Sequence, residues 1–307
     1  MIETLDQLLE EAKAISRKSS RPIKVVIAAA QDKAALSALI EARQMGLADG
    51  ILIGDKTAIR ELLKATGSES FEIIHELEEK EIGRQAMLAI REGRADVVVK
   101  GNIKTSSLFK AVLDPEYGLR TGRLISDVFI FEFPQRQGNK LIMITDGGVT
   151  LAPDLQQKIQ ILENAVSVAH ALGNPCPKVA LVSATEVVIP ELPSTVDAAI
   201  IAKMNQRGQI KGCLVDGPLG LDNAVSLEAA REKGIESPVA GQADILVCPN
   251  IESANLMAKG TTYFAGLRLA HVCVGAKAPV LIPSRTDSAE AKLLSIALSI
   301  VVSAHKI

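Results

Sequence analysis

Short apolar runs of strand length alternate with helix-length amphipathic segments along almost the whole chain, and this alternation restricts the possible folds. Several runs are continuous apolar blocks, which is typical of strands buried on both faces. Such regular alternation predicts an α/β fold with largely parallel sheets and helices on both faces. The predicted strands span residues 23–29, 50–54, 71–77, 96–101, 129–133, 141–146, 178–184, 210–217, 243–249 and 278–284. The predicted helices span residues 33–45, 57–65, 79–92, 154–172, 194–206 and 288–304.

The order of these elements indicates two domains. A length of 307 residues suits two medium domains, each with its own core. One predicted helix precedes the first strand and one follows the last, and in two-domain α/β chains the final helix often returns to the first domain. We therefore predict a first domain of residues 1–140 plus 284–307 and a second of residues 141–283, with a cleft between them.

Charge and composition exclude several classes of partner. The net charge is −2, aromatic residues make up 3% and Trp is absent, so the chain offers neither a basic field nor stacking platforms for nucleic acid. No apolar stretch reaches the roughly 18 residues of a membrane helix, and the N-terminus lacks the apolar block of a signal peptide. The four cysteines form no CxxC pair, which favours buried thiols in a reducing cytoplasm.

The loop PSRTDS, residues 283–288, is the most informative of the polar loops that follow predicted strands. Ligands of parallel α/β sheets lie beyond the carboxyl ends of the strands. An exposed Arg285 beside hydroxyls and free backbone N–H groups at a helix N-terminus can bind an anion. Alternatively, Asp287 or Ser288 simply caps the last helix and Arg285 is solvated. The spacing alone leaves both interpretations open.

The loop KGNIKTSS, residues 100–107, follows another buried strand and opens a helix. Lys100, Lys104, Thr105 and the two serines after them are candidate phosphate contacts. Basic residues in a first helical turn oppose the helix dipole, which favours a functional role over a merely solvated turn. The pattern GxxxxGK[ST] is absent, so this is not a Walker loop.

The remaining motifs are weaker. Asp216 opens the turn DGPLG, and a similar acid-glycine turn, TDGGVT, starts at residue 145; a sharp turn explains both as well as a ligand does. No GxGxxG follows the first strand, the four histidines are scattered and no GxSxG elbow occurs. We therefore expect no dinucleotide fingerprint, no metal site and direct transfer without a covalent intermediate.

Taken in order, these loops resemble the phosphate acetyltransferase and butyryltransferase family over nearly the whole chain. The similarity is closer to the butyryl branch, whose forms of STVDAA, RGQIKG, VDGPL and SRxDS all occur here. It is strongest in five segments, at residues 97–114, 145–173, 193–224, 242–259 and 278–288.

The resemblance implies reversible transfer of a butyryl or similar short or branched acyl group between coenzyme A and inorganic phosphate. It also implies a two-domain fold related to the isocitrate and isopropylmalate dehydrogenases, with the site in the interdomain cleft, and a homo-oligomer. Coenzyme A and its acyl ester would be substrates, and no permanently bound cofactor is expected.

The resemblance also assigns residues. A Ser-Arg pair at the reaction centre of the acetyl branch matches Ser284 and Arg285. An arginine on the helix before the fourth strand matches Arg91, and a further one is nearest to Arg123, one residue out of register. Asp216 is included among the substrate-binding residues.

One position departs from the acetyl branch. There, an Asp seven residues after the Ser is the proposed base for the coenzyme A thiol, whereas this chain has Ala291. Asp287 is the predicted substitute, with Glu290 as the alternative.

The chemistry fits these residues independently of the family. Phosphate is a weak nucleophile that must be held in line with a thioester carbonyl, and Arg91 and Arg285 could clamp it, with Lys104 and Thr105 as further donors. Ser284 could donate to the developing oxyanion or to the departing sulfur. The alternatives left open are a phosphate acetyltransferase, a metal- and NAD-dependent dehydrogenase on the related fold, and a non-catalytic acyl-CoA-binding protein.

Overall fold

A computed structural model describes residues 1–67, 70–136 and 138–305. The chain divides into two compact units, each assembled from segments distant in sequence. The first unit comprises Leu5–Arg123 and Leu269–Ile307, and the second comprises Met1–Thr4 and Leu124–Arg268. The domain division expected from the sequence, 1–140 plus 284–307 and 141–283, stays a prediction.

The first unit is a parallel sheet with helices. Its strands lie in the order β3-β2-β1-β4-β11-β10, and neighbouring strands are parallel except for the antiparallel pair of β10 and β11. Its elements are α1 (Leu5–Lys18), β1 (Lys24–Ala28), α2 (Lys33–Gln44), β2 (Asp49–Gly54), α3 (Lys56–Lys64), β3 (Glu72–His75), α4 (Glu79–Arg91), β4 (Val97–Lys100), α5 (Thr105–Val112), β10 (Leu269–Val274), β11 (Val280–Leu281) and α11 (Ala289–Ala304).

The second unit has the strand order β5-β6-β9-β7-β8, in which β5 is antiparallel to β6 and the other pairs are parallel. Its elements are β5 (Ser126–Glu132), β6 (Leu141–Thr145), α6 (Leu155–Ala171), β7 (Lys178–Val182), α7 (Pro193–Gln206), β8 (Leu214–Leu219), α8 (Leu221–Val225), α9 (Leu227–Glu232), β9 (Ile245–Val247) and α10 (Ile251–Tyr263). The predicted α/β fold with largely parallel sheets is confirmed.

Helix α11 anchors the core of the first unit. Residues 292–302 of this helix are all buried, and the helix packs against α1, α2 and β10. Burial of a long aliphatic face on several neighbours stabilises the helix far more than its intrinsic propensity does. The turn that precedes α11 is therefore mounted on a rigid element.

Two of the predicted strands differ clearly in extent from the observed ones, and one further strand was missed. Strand β8 spans Leu214–Leu219 instead of 210–217, because Gly208 and Gly212 adopt positive φ and keep the preceding residues in turns. Strand β11 is short because prolines at 279 and 283 lack the N–H that a ladder needs. Strand β10 and helices α8 to α10 were not predicted. No helix of the described residues is long and apolar enough to cross a membrane.

Candidate active site

The turn at residues 283–288 follows β11 at the carboxyl end of the parallel part of the first unit's sheet. Strand β11 runs parallel to β4, with Leu281 opposite Val99. Lys100, the last residue of β4, therefore lies beside Ile282, two residues before Ser284. The register brings the two sequence-predicted loops, 283–288 and 100–107, to the same edge of this sheet.

Hydrogen bonds between Ser284 and Asp287 close the turn. The backbone N–H of Ser284 donates to Asp287 Oδ2 at 2.7 Å, and the N–H of Asp287 donates to the carbonyl oxygen of Ser284 at 3.2 Å. The hydroxyls of Ser284 and Thr286 lie 3.0 Å apart. The Asp287 carboxylate thus holds the backbone of Ser284 in place.

A buried lysine on α11 also stabilises this turn through hydrogen bonds to its main chain. Lys292 is 4% exposed, and its Nζ donates to the carbonyl oxygens of Ser284 at 3.1 Å and Asp287 at 2.7 Å. Sequence reasoning missed this residue. The signal was a lysine at the start of KLLSIALSIVV, on the face that continues through Ser295 and Ile296 into the core.

The sequence left open whether this turn binds an anion or caps α11, and the structure assigns these two roles to different side chains. The Ser288 hydroxyl caps α11 by accepting the N–H of Ala291 at 3.1 Å. Arg285 is exposed, and its guanidinium makes no hydrogen bond or ion pair with any described residue. Capping and anion binding are therefore compatible, because different side chains serve them.

Lys100 lies within electrostatic reach of Arg285. It is 8% exposed, and burial lowers the pKa of its ammonium below the usual value. The charges of Arg285 and Lys292 lower this pKa further, whereas Asp32 raises it. These groups make the edge of the sheet at β4 and β11 locally cationic.

The backbone around Lys100 is tightly constrained. Ala29, at the end of β1, has φ of +59°, and its carbonyl oxygen accepts the N–H of Asn102 at 2.8 Å. A Cβ on Gly101 would lie 2.2 Å from that oxygen, so glycine is required there. The close packing of Gly101 against the Ala29 carbonyl therefore fixes the backbone at the start of the loop that leads to α5.

The N-terminus of α5 has no side-chain cap. Lys104 occupies the N-cap position without a capping bond, and Thr105 is the exposed first residue of the helix. Neither side chain makes a hydrogen bond or ion pair within the described part of the chain. Free N–H groups beside two unengaged donors suit an anion.

The other predicted residues lie elsewhere. Arg91 ends α4, so it precedes the amino end of β4, and its guanidinium donates to the carbonyl oxygen of Glu116. Arg123 is exposed at the end of the first unit's N-terminal segment, with its N–H bonded to Thr121 Oγ1 at 3.2 Å. Asp216 lies on β8 in the second unit, where Oδ1 accepts the N–H of Gly217 at 2.8 Å. The structure thus groups Ser284, Arg285, Asp287, Lys104 and Thr105 on one unit but places Arg91 at the other end of β4.

The second unit contains a cavity of about 630 Å³ near the carboxyl ends of β7 and β9. Its wall is mostly apolar, with Val182, Leu192 and Met257 among the lining residues. A buried Lys158 pairs with Asp197 at 2.6 Å on the same wall. Neither residue was singled out from the sequence, because a lysine inside an amphipathic helix pattern is read as a solvated side chain.

Comparison with known proteins identifies the family. The family model described as "Phosphate acetyl/butaryl transferase" matches residues 58–300, and the chain belongs to this family of acyltransferases. A phosphate butyryltransferase of Clostridium acetobutylicum is 42% identical over 308 aligned residues, covering 100% of both chains. A phosphate acetyltransferase of Thermotoga maritima is 43% identical over 299 residues, covering 97% of this chain and 99% of that protein. The family resemblance predicted from the five segments is confirmed.

Solved structures support the fold. A branched-chain phosphotransacylase from Enterococcus faecalis superposes with a TM-score of 0.80 at 30% identity, over 92% of this chain and 99% of that one. A 4-hydroxythreonine-4-phosphate dehydrogenase from Klebsiella pneumoniae gives 0.57 at 11% identity, over 92% and 100% of the two chains. The second likeness concerns the fold alone, and it agrees with the expected relation to dehydrogenase folds.

Proposed function

We propose that this protein transfers a butyryl or similar short or branched acyl group between coenzyme A and inorganic phosphate, forming an acyl phosphate. The observation that carries the proposal is the unengaged Arg285 guanidinium on a turn held by Asp287 and Lys292, in a chain of this family. An exposed guanidinium held beside a buried ammonium is suited to a doubly charged oxyanion.

Arg285 binds two oxygens of phosphate through parallel N–H donors and sets the direction of attack. Lys104 and Thr105 add donors from the α5 N-terminus, where the helix dipole has the same sign. In this way, positively charged and N–H groups already present in the fold replace the hydration shell that phosphate loses on binding.

Ser284 acts on the acyl group. Its hydroxyl shares a hydrogen bond with Thr286 at 3.0 Å and can turn to donate to the thioester carbonyl as that oxygen gains charge, or to the departing sulfur. Such an interaction is stronger in the transition state than in the ground state, so it increases turnover rather than binding.

The remaining predicted residues enter the proposal differently. Arg123 is a proposed substrate-binding residue on the strength of the family resemblance, and Asp216 is one as the acid of the DGPLG turn after a strand. Arg91 stays a sequence prediction, because its guanidinium is bonded to the carbonyl oxygen of Glu116. Asp287 stays a predicted base, although its carboxylate holds the Ser284 N–H.

The identity of the transferred acyl group, butyryl or acetyl, is part of the proposal. Relatives named for butyryl and for acetyl transfer are 42% and 43% identical to this chain, so a phosphate acetyltransferase is the second candidate. The form of the sequence motifs favours butyryl. Coenzyme A is proposed as a substrate, not a resident cofactor, while a homo-oligomeric state and a cytoplasmic location stay predictions.

The test is formation of the acyl phosphate from a series of acyl-CoA esters, trapped with hydroxylamine as the hydroxamate. Two further methylenes in an apolar pocket, at about 0.8 kcal/mol each, favour butyryl over acetyl by roughly tenfold or more in kcat/KM. Equal or better use of acetyl-CoA would make the protein a phosphate acetyltransferase. No acyl phosphate from any ester would contradict the proposed function.

A further inference from the structure

Lys100 is a buried cation whose charge has no partner of opposite sign in contact with it. It ends β4 at 8% exposure, and its Nζ makes one hydrogen bond, a long one of 3.3 Å to the carbonyl oxygen of Gly101. Among the described residues, no carboxylate forms an ion pair with it. Because a buried ammonium is costly unless it is paired, a lysine at this position is unfavourable for stability and calls for a functional reason.

The charged groups around Lys100 come from three other elements. Asp32 lies at the N-cap of α2, where its carboxylate is engaged by the N–H of Ala35 at 2.9 Å. Arg285 lies on the turn after β11, and Lys292 lies on α11. Burial is the main cause of the lowered pKa, the two cations reinforce it and Asp32 opposes it. The ammonium therefore releases its proton more readily than that of a surface lysine.

The position of Lys100 is that of a residue in the candidate active site. Val99 pairs with Leu281 in the parallel ladder, so Lys100 and Ile282 lie side by side at the carboxyl end of the sheet. Ser284 follows two residues later, a distance of roughly 7 Å along an extended chain. The amino group thus belongs to the edge that carries Ser284 and Arg285.

Of the candidate proton carriers at this edge, Asp287 is engaged, the acetyl-branch carboxylate is absent, and Glu290 is exposed on the first turn of α11. Asp287 Oδ2 accepts the Ser284 N–H at 2.7 Å, so taking up a proton there would weaken the turn. Position 291 carries only a methyl group and lies in the first turn of α11. The Lys100 ammonium, by contrast, makes only a long hydrogen bond to the carbonyl oxygen of Gly101 and can donate a proton.

We propose that Lys100 is a catalytic residue whose amino group carries the proton from the attacking phosphate to the sulfur of coenzyme A. This role rests on the proposed function. A phosphate oxygen forms a bond to the carbonyl carbon, the carbon–sulfur bond breaks and its electron pair goes to sulfur. The Lys100 ammonium gives its proton to that sulfur, and the resulting amine takes the proton of the phosphate hydroxyl. Monohydrogen phosphate and acyl-CoA thus become acyl phosphate and free thiol, and Lys100 returns to its starting state.

Two substitutions separate a proton carrier from a fixed charge. Lys100→Arg keeps the positive charge but holds its proton at all working pH values, and Lys100→Ala removes both. Lys110→Met, at an exposed lysine on α5, is the matched control. Each protein is assayed for thiol release from butyryl-CoA with varied phosphate, and the melting temperature establishes that it is folded. Lys100→Ala is also assayed with added methylamine, which can transfer a proton, and with tetramethylammonium, which cannot.

The proposal predicts that kcat of Lys100→Arg falls by about 10²-fold or more, the scale of general acid-base catalysis, while the KM for phosphate changes by less than about threefold. It also predicts rescue of Lys100→Ala by methylamine alone. Lys100→Arg with more than about a third of the wild-type kcat, or equal rescue by both cations, would overturn it. A wild-type protein without phosphate-dependent thiol release would instead refute the proposed function itself, and the Lys100 role with it.

Discussion

The ammonium group of Lys292 lies 3.1 Å from the main-chain carbonyl oxygen of Ser284. The two residues are eight positions apart, and the side chain bridges from the first turn of α11 back to the turn that precedes it. A second hydrogen bond, to the carbonyl oxygen of Asp287 at 2.7 Å, means that the lysine holds the main chain at both Ser284 and Asp287. A buried charge in this position fixes the geometry of Ser284 and Arg285.

Lys292→Met should therefore lower kcat/KM on the order of tenfold, because a turn released by a fraction of an ångström misaligns the groups it carries. The free energy of unfolding should change by less than about 2 kcal/mol. The variant loses the two hydrogen bonds, but it no longer pays the desolvation cost of a buried ammonium. Kinetics and thermal melting are measured on the variant and on Lys277→Met, an exposed lysine of the same unit. Unchanged kinetics would assign Lys292 to folding alone.

The turn itself gives a second prediction. Arg285→Ala should raise the KM for phosphate and lower kcat, at a combined cost of roughly 2–4 kcal/mol in transition-state binding. Arg285→Lys should restore little, because an ammonium cannot supply two parallel donors. Ser284→Ala should mainly lower kcat. Arg60→Ala, at an exposed arginine on α3, serves as the control.

The capping residue should behave in the opposite way. Ser288→Ala removes the acceptor for the Ala291 N–H and should reduce the free energy of unfolding by about 1 kcal/mol with near-normal kinetics. Near-wild-type kinetics for Arg285→Ala, together with this loss at Ser288, would reduce the turn to a helix cap.

Much of the fold was predictable from the sequence because its strands are buried on both faces. Blocks such as VVVK at β4 and LIMIT at β6 have no polar alternation, and the helices between them end at glycines. Strand β10, LAHVCV, was missed although all six of its residues are buried. Its histidine interrupts the apolar pattern, and antiparallel pairing with β11 places it outside the strand-helix alternation.

The site was predictable only in part. Arg285 stood out because it lies in a polar loop after a predicted strand, beside hydroxyls and a helix N-terminus, where parallel α/β sheets bind ligands. Lys292 and the role of Lys100 depend on which side chains the register of β4 and β11 brings together, and neighbouring strands far apart in sequence leave no local pattern. The position of Arg91 at the amino end of β4 likewise follows from the topology, which the family resemblance did not supply.

The strained alanine beside Lys100 gives a further prediction. Ala29 has φ of +59°, a conformation that costs an L-residue roughly 1–2 kcal/mol, so Ala29→Gly should be neutral or stabilising by up to about that amount. Gly101→Ala should be destabilising and should impair activity, because its Cβ would meet the Ala29 carbonyl oxygen. Chemical denaturation of the two variants checks both signs, and a destabilised Ala29→Gly would contradict the backbone assignment.

The burial of Lys100 leads to a prediction about how the free energy of unfolding depends on pH. Its pKa in the folded state is lowered, so above that pKa the unfolded chain binds more protons than the native protein does. The contribution of Lys100 to the free energy of unfolding should then rise with pH, until the pH passes the unfolded value of about 10.4. Lys100→Met should lack this rise and should be at least as stable as the wild type near pH 7.

Urea denaturation at several pH values from 7 up to about 10.4, the unfolded pKa of lysine, measures the difference between these two proteins across the whole window in which the linkage acts. The stability of the wild type relative to the variant should rise as the pH increases. A difference that stays constant, or that moves in favour of the variant, would mean that the Lys100 ammonium is not destabilised by its surroundings.

The most direct test of the proposed function is the release of coenzyme A thiol from butyryl-CoA, followed with and without inorganic phosphate. We expect thiol release only when phosphate is present. The rate should be the same after treatment with EDTA, because the side chains of Arg285, Lys100 and Lys104 supply the positive charge. Within the described residues, no cluster of three or more His, Cys, Asp or Glu side chains is placed to hold a metal ion. Thiol release without phosphate would indicate a thioesterase, and a strict requirement for a divalent metal would contradict the site described for this protein.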